Sequence, residues 1–121
     1  MGDYRELHCW QRAHEATLEV YKITKSFPRE ELFGITSQLR RSMSSVPANI
    51  AEGNGRASRK EYLQFLSIAR GSLNEARYFV TLAADLAMMS AQQRESIELR
   101  LVEVSRLLAG LIRSLQPKPT S

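Results

Sequence analysis

Ile97, Leu101, Val104, Leu108, Leu111 and Leu115 recur in alternating steps of four and three, with polar or small residues in most of the gaps. Only a helix gathers such positions on one side, because 3.6 residues per turn brings i, i+3, i+4 and i+7 together. The pattern repeats along the chain. Trp10, Ala13, Thr17, Val20, Thr24 and Phe27 mark a first helix, and Ile35, Leu39, Met43, Val46, Ile50 and Gly53 a second. A third helix carries two interleaved stripes: Tyr62, Leu66, Ala69, Leu73, Ala76, Val80 and Ala83 beside Phe65, Ile68, Ser72, Phe79 and Leu86. Four one-sided helices in 121 residues bury their stripes most economically against one another. The sequence therefore predicts an all-α fold, an antiparallel up-down-up-down four-helix bundle in a single domain over 1–121.

Local signals divide the helices. Pro28 lacks a backbone donor and disfavours helix at Phe27. Gly53-Asn54-Gly55 reads as a helix end. Ser58-Arg59-Lys60-Glu61 and Ser90-Ala91-Gln92-Gln93 read as capping boxes. The helices are predicted over about 4–25, 35–54, 58–89 and 90–115, followed by a flexible tail over 116–121. Pro47, inside the second, removes one backbone bond and crowds the carbonyl four residues back, so a kink is expected there.

Several classes of function lose support at this level. No apolar run approaches the ~18 residues that span a bilayer. The stretch MGDYRELHCWQRAHE has no apolar leader core, and Cys9 alone builds no disulfide framework. A cytoplasmic protein with no membrane role is expected. His8 and His14 are six apart, a spacing that does not stack them on one helical face, and no Glu-x-x-His occurs. The serines lack Gly-x-Ser-x-Gly or Ser-x-x-Lys contexts, and the Gly-x-Gly at Gly53 follows a helix rather than a strand. The expectation is a protein without catalytic residues, metal or cofactor.

Charge is more informative. The net +4 lies wholly between Gly34 and Arg77, where seven basic residues face three acidic ones; elsewhere there are ten of each. Arg59, Arg70 and Arg77 are separated by 11 and 7 positions, which aligns them within about 20° on an ideal helix, along roughly 27 Å. With Arg56 and Lys60 near the turn, they form a candidate nucleic-acid-binding ridge. Its contacts would be electrostatic and nearly sequence-blind. A solvated helix face, or docking of an acidic protein partner, is the competing reading.

Glu75 lies between Ser72 and Phe79 at the border of the third helix's apolar face, so burial and pairing with Arg41 or Arg40 are expected. Arg41, Glu52 and Glu75 are assigned to structural ion pairing. Leu63, Tyr78, Leu82 and Met88 fall outside the inner stripe and point to self-association.

The elements WQRAHE (Trp10 to Glu15), Val20-Tyr21, Phe27 to Arg41, SVPANIAEG (Ser45 to Gly53) and ARGSLNEA (Ala69 to Ala76) together resemble the four-helix-bundle family of 23S rRNA intervening-sequence proteins, from about Leu7 to Leu115. The resemblance implies a small cytoplasmic bacterial protein forming a bundle, from a family with members that assemble as ring-like homopentamers and with no established enzymatic activity. Some members are encoded within insertions in large-subunit ribosomal RNA genes. A related branch, the accessory variability determinant of diversity-generating retroelements, binds nucleic acid and a reverse transcriptase. The family motif falls here on Arg41, Pro47, Asn49, Glu52, Gly53, Arg56 and Glu75. The partners so implied are other copies of the chain, RNA or DNA, and a protein.

Overall fold

The computed structural model describes residues 2–117. Four helices carry the fold: α1 (His8–Thr24), α2 (Ser37–Asn54), α3 (Arg59–Asp85) and α4 (Ala91–Leu115), with no strand among the described residues. Each packs on its two neighbours around a square, α1 on α2 and α4, α3 on α2 and α4. The α2–α3 and α3–α4 connections are short, and the α1–α2 connection is filled by the turns Arg29–Glu31 and Leu32–Thr36, so successive helices pack as antiparallel neighbours. Gln116 and Pro117 follow α4 as exposed, non-helical chain; the rest of the expected tail, 118–121, lies outside the described residues.

Most of the core follows the periodicity, with Cys9, Ala16 and Ile23 of α1 buried in addition to its predicted stripe and Trp10 only partly so. Val20, Leu39, Met43, Val46, Ile50, Leu66, Leu73, Ile97, Leu101 and Leu108 are fully enclosed. In α4 the inner line passes from Leu108 to Ile112, and Leu111 and Leu115 are only partly buried. Leu111 lies about 60° round the helix from Leu108, off the inner line, and Leu115 is the last residue of α4.

The helix ends depart from expectation in three places. A single 3₁₀ turn, Tyr4–Glu6, precedes α1, and Asp3 caps it by accepting from the Arg5 N–H. Before α2, Leu32–Thr36 forms a wide irregular turn with non-helical backbone at Gly34, so the regular helix starts at Ser37 rather than 35. α3 stops at Asp85, four residues before the expected 89. Ala87 takes a left-handed conformation (φ 59°), and the Met88 N–H returns to the Ala83 carbonyl at 2.9 Å. This is the geometry that usually recruits glycine or asparagine; here an alanine adopts it, against the steric preference of its Cβ. Of the two capping boxes, Ser90–Gln93 is complete, while Ser58 accepts from the Glu61 N–H without the return bond.

α2 runs on through Pro47. The Met43 carbonyl, deprived of its N–H partner, has Thr17 Oγ1 of α1 at 3.5 Å. α2 and α3 approach closely at Gly53. A Cβ there would lie 2.8 Å from Phe65 Cβ and 2.9 Å from Tyr62 Cδ1. That is why the turn-forming glycine also belongs to the core. Asn54, next to it, donates to the Gly2 carbonyl (2.6 Å) and lies 3.3 Å from the Tyr62 hydroxyl, which donates to it.

Candidate nucleic-acid interface

Ser58 starts α3 and thereby places Arg59 and Lys60 in its exposed first turn. Arg59, Lys60, Leu63, Gln64, Ser67 and Pro117 border one shallow depression. Further along, Arg77 borders the groove between α3 and α4 with Thr81, Glu98 and Val102. Arg59, Lys60, Arg70 and Arg77 are all exposed. None has a carboxylate within 4.0 Å among the described residues, where ion pairs involve Arg5, Arg12, Arg56, Arg94 and Arg100 instead. The α3 ridge is thus a row of unneutralised cations.

Arg56 does not join it. Its Nη2 lies 2.7 Å from Glu52 Oε1, one helical turn earlier, and its guanidinium stacks over the Phe65 ring at 4.8 Å. Glu52 keeps its expected ion-pairing role, with Arg56 as partner.

Arg41 and Glu75 do not pair. Glu75 is exposed and unburied, contrary to expectation. α2 packs on the Phe65 and Ser72 side of α3, and Glu75 lies about 60° further round, away from the core. Arg41 is exposed as well, and Arg40 turns to α1, donating to Thr24 Oγ1 at 2.7 Å over the Tyr21 ring. Arg41 and Glu75 instead border one cleft between α2 and α3, with Phe33, Ser37, Ser45 and Ser72. The cleft floor is hydrogen-bonded: the Ser45 and Ser72 hydroxyls are 2.9 Å apart, and Asn49 Nδ2 donates to the Ser45 carbonyl (2.8 Å) and Oγ (2.9 Å). Asn49 therefore serves this seam rather than the carbonyl that Pro47 frees.

The apolar surface also differs from the helical-wheel expectation. Leu63, Leu82 and Met88 tuck against the core, leaving Tyr78 exposed. Ile68 and Leu86, placed on the inner stripe by spacing, are half exposed, and Phe33 is 92% exposed at the mouth of the α2–α3 cleft. Residues with reactive side chains are held elsewhere. His14 stacks on Trp10, and burial pushes the Cys9 thiol up to about 12 and raises the neighbouring Tyr62 hydroxyl in the same direction.

Sequence reasoning passed over two basic residues, Arg106 and Arg113. They follow Val102 by 4 and 11 positions, which puts them within about 40° of that groove-lining residue on α4. Both are exposed, with no carboxylate within 4.0 Å among the described residues. The available signal was their spacing relative to each other, seven residues, two turns of one face.

The family model for the 23S rRNA-intervening sequence protein matches residues 5–110. The chain belongs to this family. A solved structure described as a protein of unknown function from the S23 ribosomal protein family of Bacteroides thetaiotaomicron VPI-5482 superposes with a TM-score of 0.80 at 27% identity, covering 87% of this chain and 95% of that one. No curated protein matches the chain. Among the described residues no helix is long and apolar enough to cross a membrane.

Proposed function

We propose that this family member is a non-catalytic, self-associating bundle that binds the backbone of RNA or DNA through its basic surface, in the cytoplasm. The observation that carries the reading is the row of exposed cations on α3 with no carboxylate within 4.0 Å among the described residues, in a molecule where Arg5, Arg12, Arg56, Arg94 and Arg100 are each matched with one. Guanidinium groups free of internal partners are available for bidentate phosphate contacts. Family membership supports self-association, with the homopentamer as the expected state. The exposed Phe33 beside unpaired Arg41 and Glu75 is a surface such assembly can cover.

The test is to purify the protein, measure its mass in solution, and titrate it with nucleic acid at rising salt. A particle larger than one chain, with binding that weakens steeply as salt increases, is expected. Absence of binding at low salt removes the nucleic-acid reading. The second reading, an adaptor for a protein partner with no nucleic-acid role, draws on the same α2–α3 cleft. Capture of one protein partner that persists after nuclease treatment, by a chain that binds no nucleic acid, supports it.

A further inference from the structure

The geometry points to a two-helix face, rather than the α3 ridge alone, as the binding surface, and to a double-stranded nucleic acid as its ligand. This rests on the nucleic-acid reading above. Arg59, Lys60 and Arg70 supply one row from α3; Arg106 and Arg113 supply a second from α4. Because α3 and α4 run antiparallel, the N-terminal half of α3 lies beside the C-terminal half of α4, and the two rows flank the same end of the bundle.

Packed helices stand about 8–10 Å apart. That separation is comparable with the grooves of B-form DNA, roughly 6 Å and 12 Å wide. Each row can therefore meet one of the two backbones bordering a groove. Along the axis, Arg59 to Arg70 covers about 16 Å, or roughly five base pairs at 3.4 Å each. Tyr78 is the exposed aromatic on this side of α3, and it lies beyond the face, past Arg77. A single-stranded ligand would need a platform of aromatic rings for its bases, which this face lacks. A duplex, with bases stacked inside, needs none.

The same geometry demotes Arg77. Its part of the groove includes Glu98, which Arg94 holds at 2.9 Å, and Glu95 lies one turn further out on α4. The cationic face therefore ends before Arg77, and five residues carry it.

The experiment compares the whole chain with Arg106→Ala/Arg113→Ala, Arg59→Ala/Arg70→Ala, Arg77→Ala and Lys22→Ala/Lys25→Ala, the last pair at the opposite end of the bundle. Each is titrated with a 12-base-pair DNA duplex, the matching RNA duplex, and the corresponding single strands. All these sites are exposed, so thermal melting should be unchanged. Wild type is expected to prefer duplex over single strand, with a salt slope of about −4 to −5 per protomer engaged, from five phosphate contacts. The Arg106/Arg113 variant should lose roughly tenfold or more in affinity at 0.1 M salt, and its slope should flatten by about 2. Arg77→Ala and Lys22→Ala/Lys25→Ala should stay close to wild type. Wild-type affinity in the Arg106/Arg113 variant while Arg59/Arg70 loses binding overturns the two-helix face and leaves the proposed function standing. Equal or tighter binding of the single strands overturns the duplex assignment. An equal loss in Lys22→Ala/Lys25→Ala means that binding follows total charge and overturns the face. Failure of the wild type to bind any of the four probes overturns the proposed function itself.

Discussion

The α2–α3 seam and the α1–α4 seam are both helix pairs of one bundle, yet they are joined by different means. Between α2 and α3, contact is made by the absence of side chain: Gly53 lies against Tyr62 and Phe65, and the polar groups there, Ser45, Asn49 and Ser72, are uncharged. Between α1 and α4, long charged side chains bridge the gap. Arg12 contacts Glu15 (2.8 Å) and Glu103 (3.3 Å), and Arg100 contacts Glu15 (3.5 Å). Arg100 Nε also lies 2.7 Å from Glu19 Oε2, a charge contact whose N–H is not aligned on that oxygen, while Ser96 donates to the other Glu19 oxygen at 2.6 Å. The difference decides where cations are left over. The α1–α4 seam consumes its arginines, whereas the outward faces of α3 and α4 keep theirs.

Changing the close seam should have the largest effect. Gly53→Val forces α2 and α3 apart and should cost about 3 kcal/mol in chemical denaturation. Gly71→Ala, on the same α3 but with open space where its Cβ would go, should instead stabilise by roughly 0.5–1 kcal/mol. A loss at both positions would mean that close approach is not what distinguishes the seam.

The next effect concerns pH. Cys9 and Tyr62 share the dry end of the bundle, and burial raises both groups. Below the ordinary thiol value of about 8.5, Cys9 is protonated in both folded and unfolded chains and contributes no pH dependence. Above it the unfolded thiol ionises first, so stability falls as pH rises toward about 12. The Cys9 share of that loss should be about 2 kcal/mol at pH 10 relative to pH 7. Cys9→Ala should flatten the alkaline slope in denaturant melts; an unchanged slope would place the thiol in water.

Smallest of all, Arg100→Met should cost about 1 kcal/mol at low salt and less at 1 M salt, since Arg100 and its partner Glu15 are each 44% exposed and only Glu19, at 18%, is sheltered. A loss of several kcal/mol there, insensitive to salt, would reverse the contrast between the seams.

Much of the fold was legible because periodicity is a property of the chain itself: the buried positions of α1, α2 and α4 follow their spacing almost throughout. What escaped depended on neighbours. Ile68 and Leu63 differ little by composition, but Leu63 is tucked against the core, while Ile68 falls beyond the edge of α3 that α2 covers and is half exposed. Glu75 failed as a buried partner for the same reason. The end of α3 carried no glycine or proline to announce it. Charge counting also misled. The last third of the chain looks nearly neutral because Asp85, Glu95, Glu98 and Glu103 offset its four arginines in number, yet Glu103 points to Arg12 and Glu98 to Arg94. A sum along the chain cancels charges that the helix sends in different directions, and Arg106 and Arg113 disappeared in that sum. Arg56 erred the opposite way, counted as available while bound to Glu52.

The enclosed thiol of Cys9 has a practical consequence. Toward maleimides or iodoacetamides the folded chain should behave as though it had no cysteine, so a new one at exposed Ser67, in the depression that Arg59 and Lys60 border, would be the sole point of attachment. A fluorophore or photo-crosslinker placed there could report a bound strand without first altering any native residue of the core.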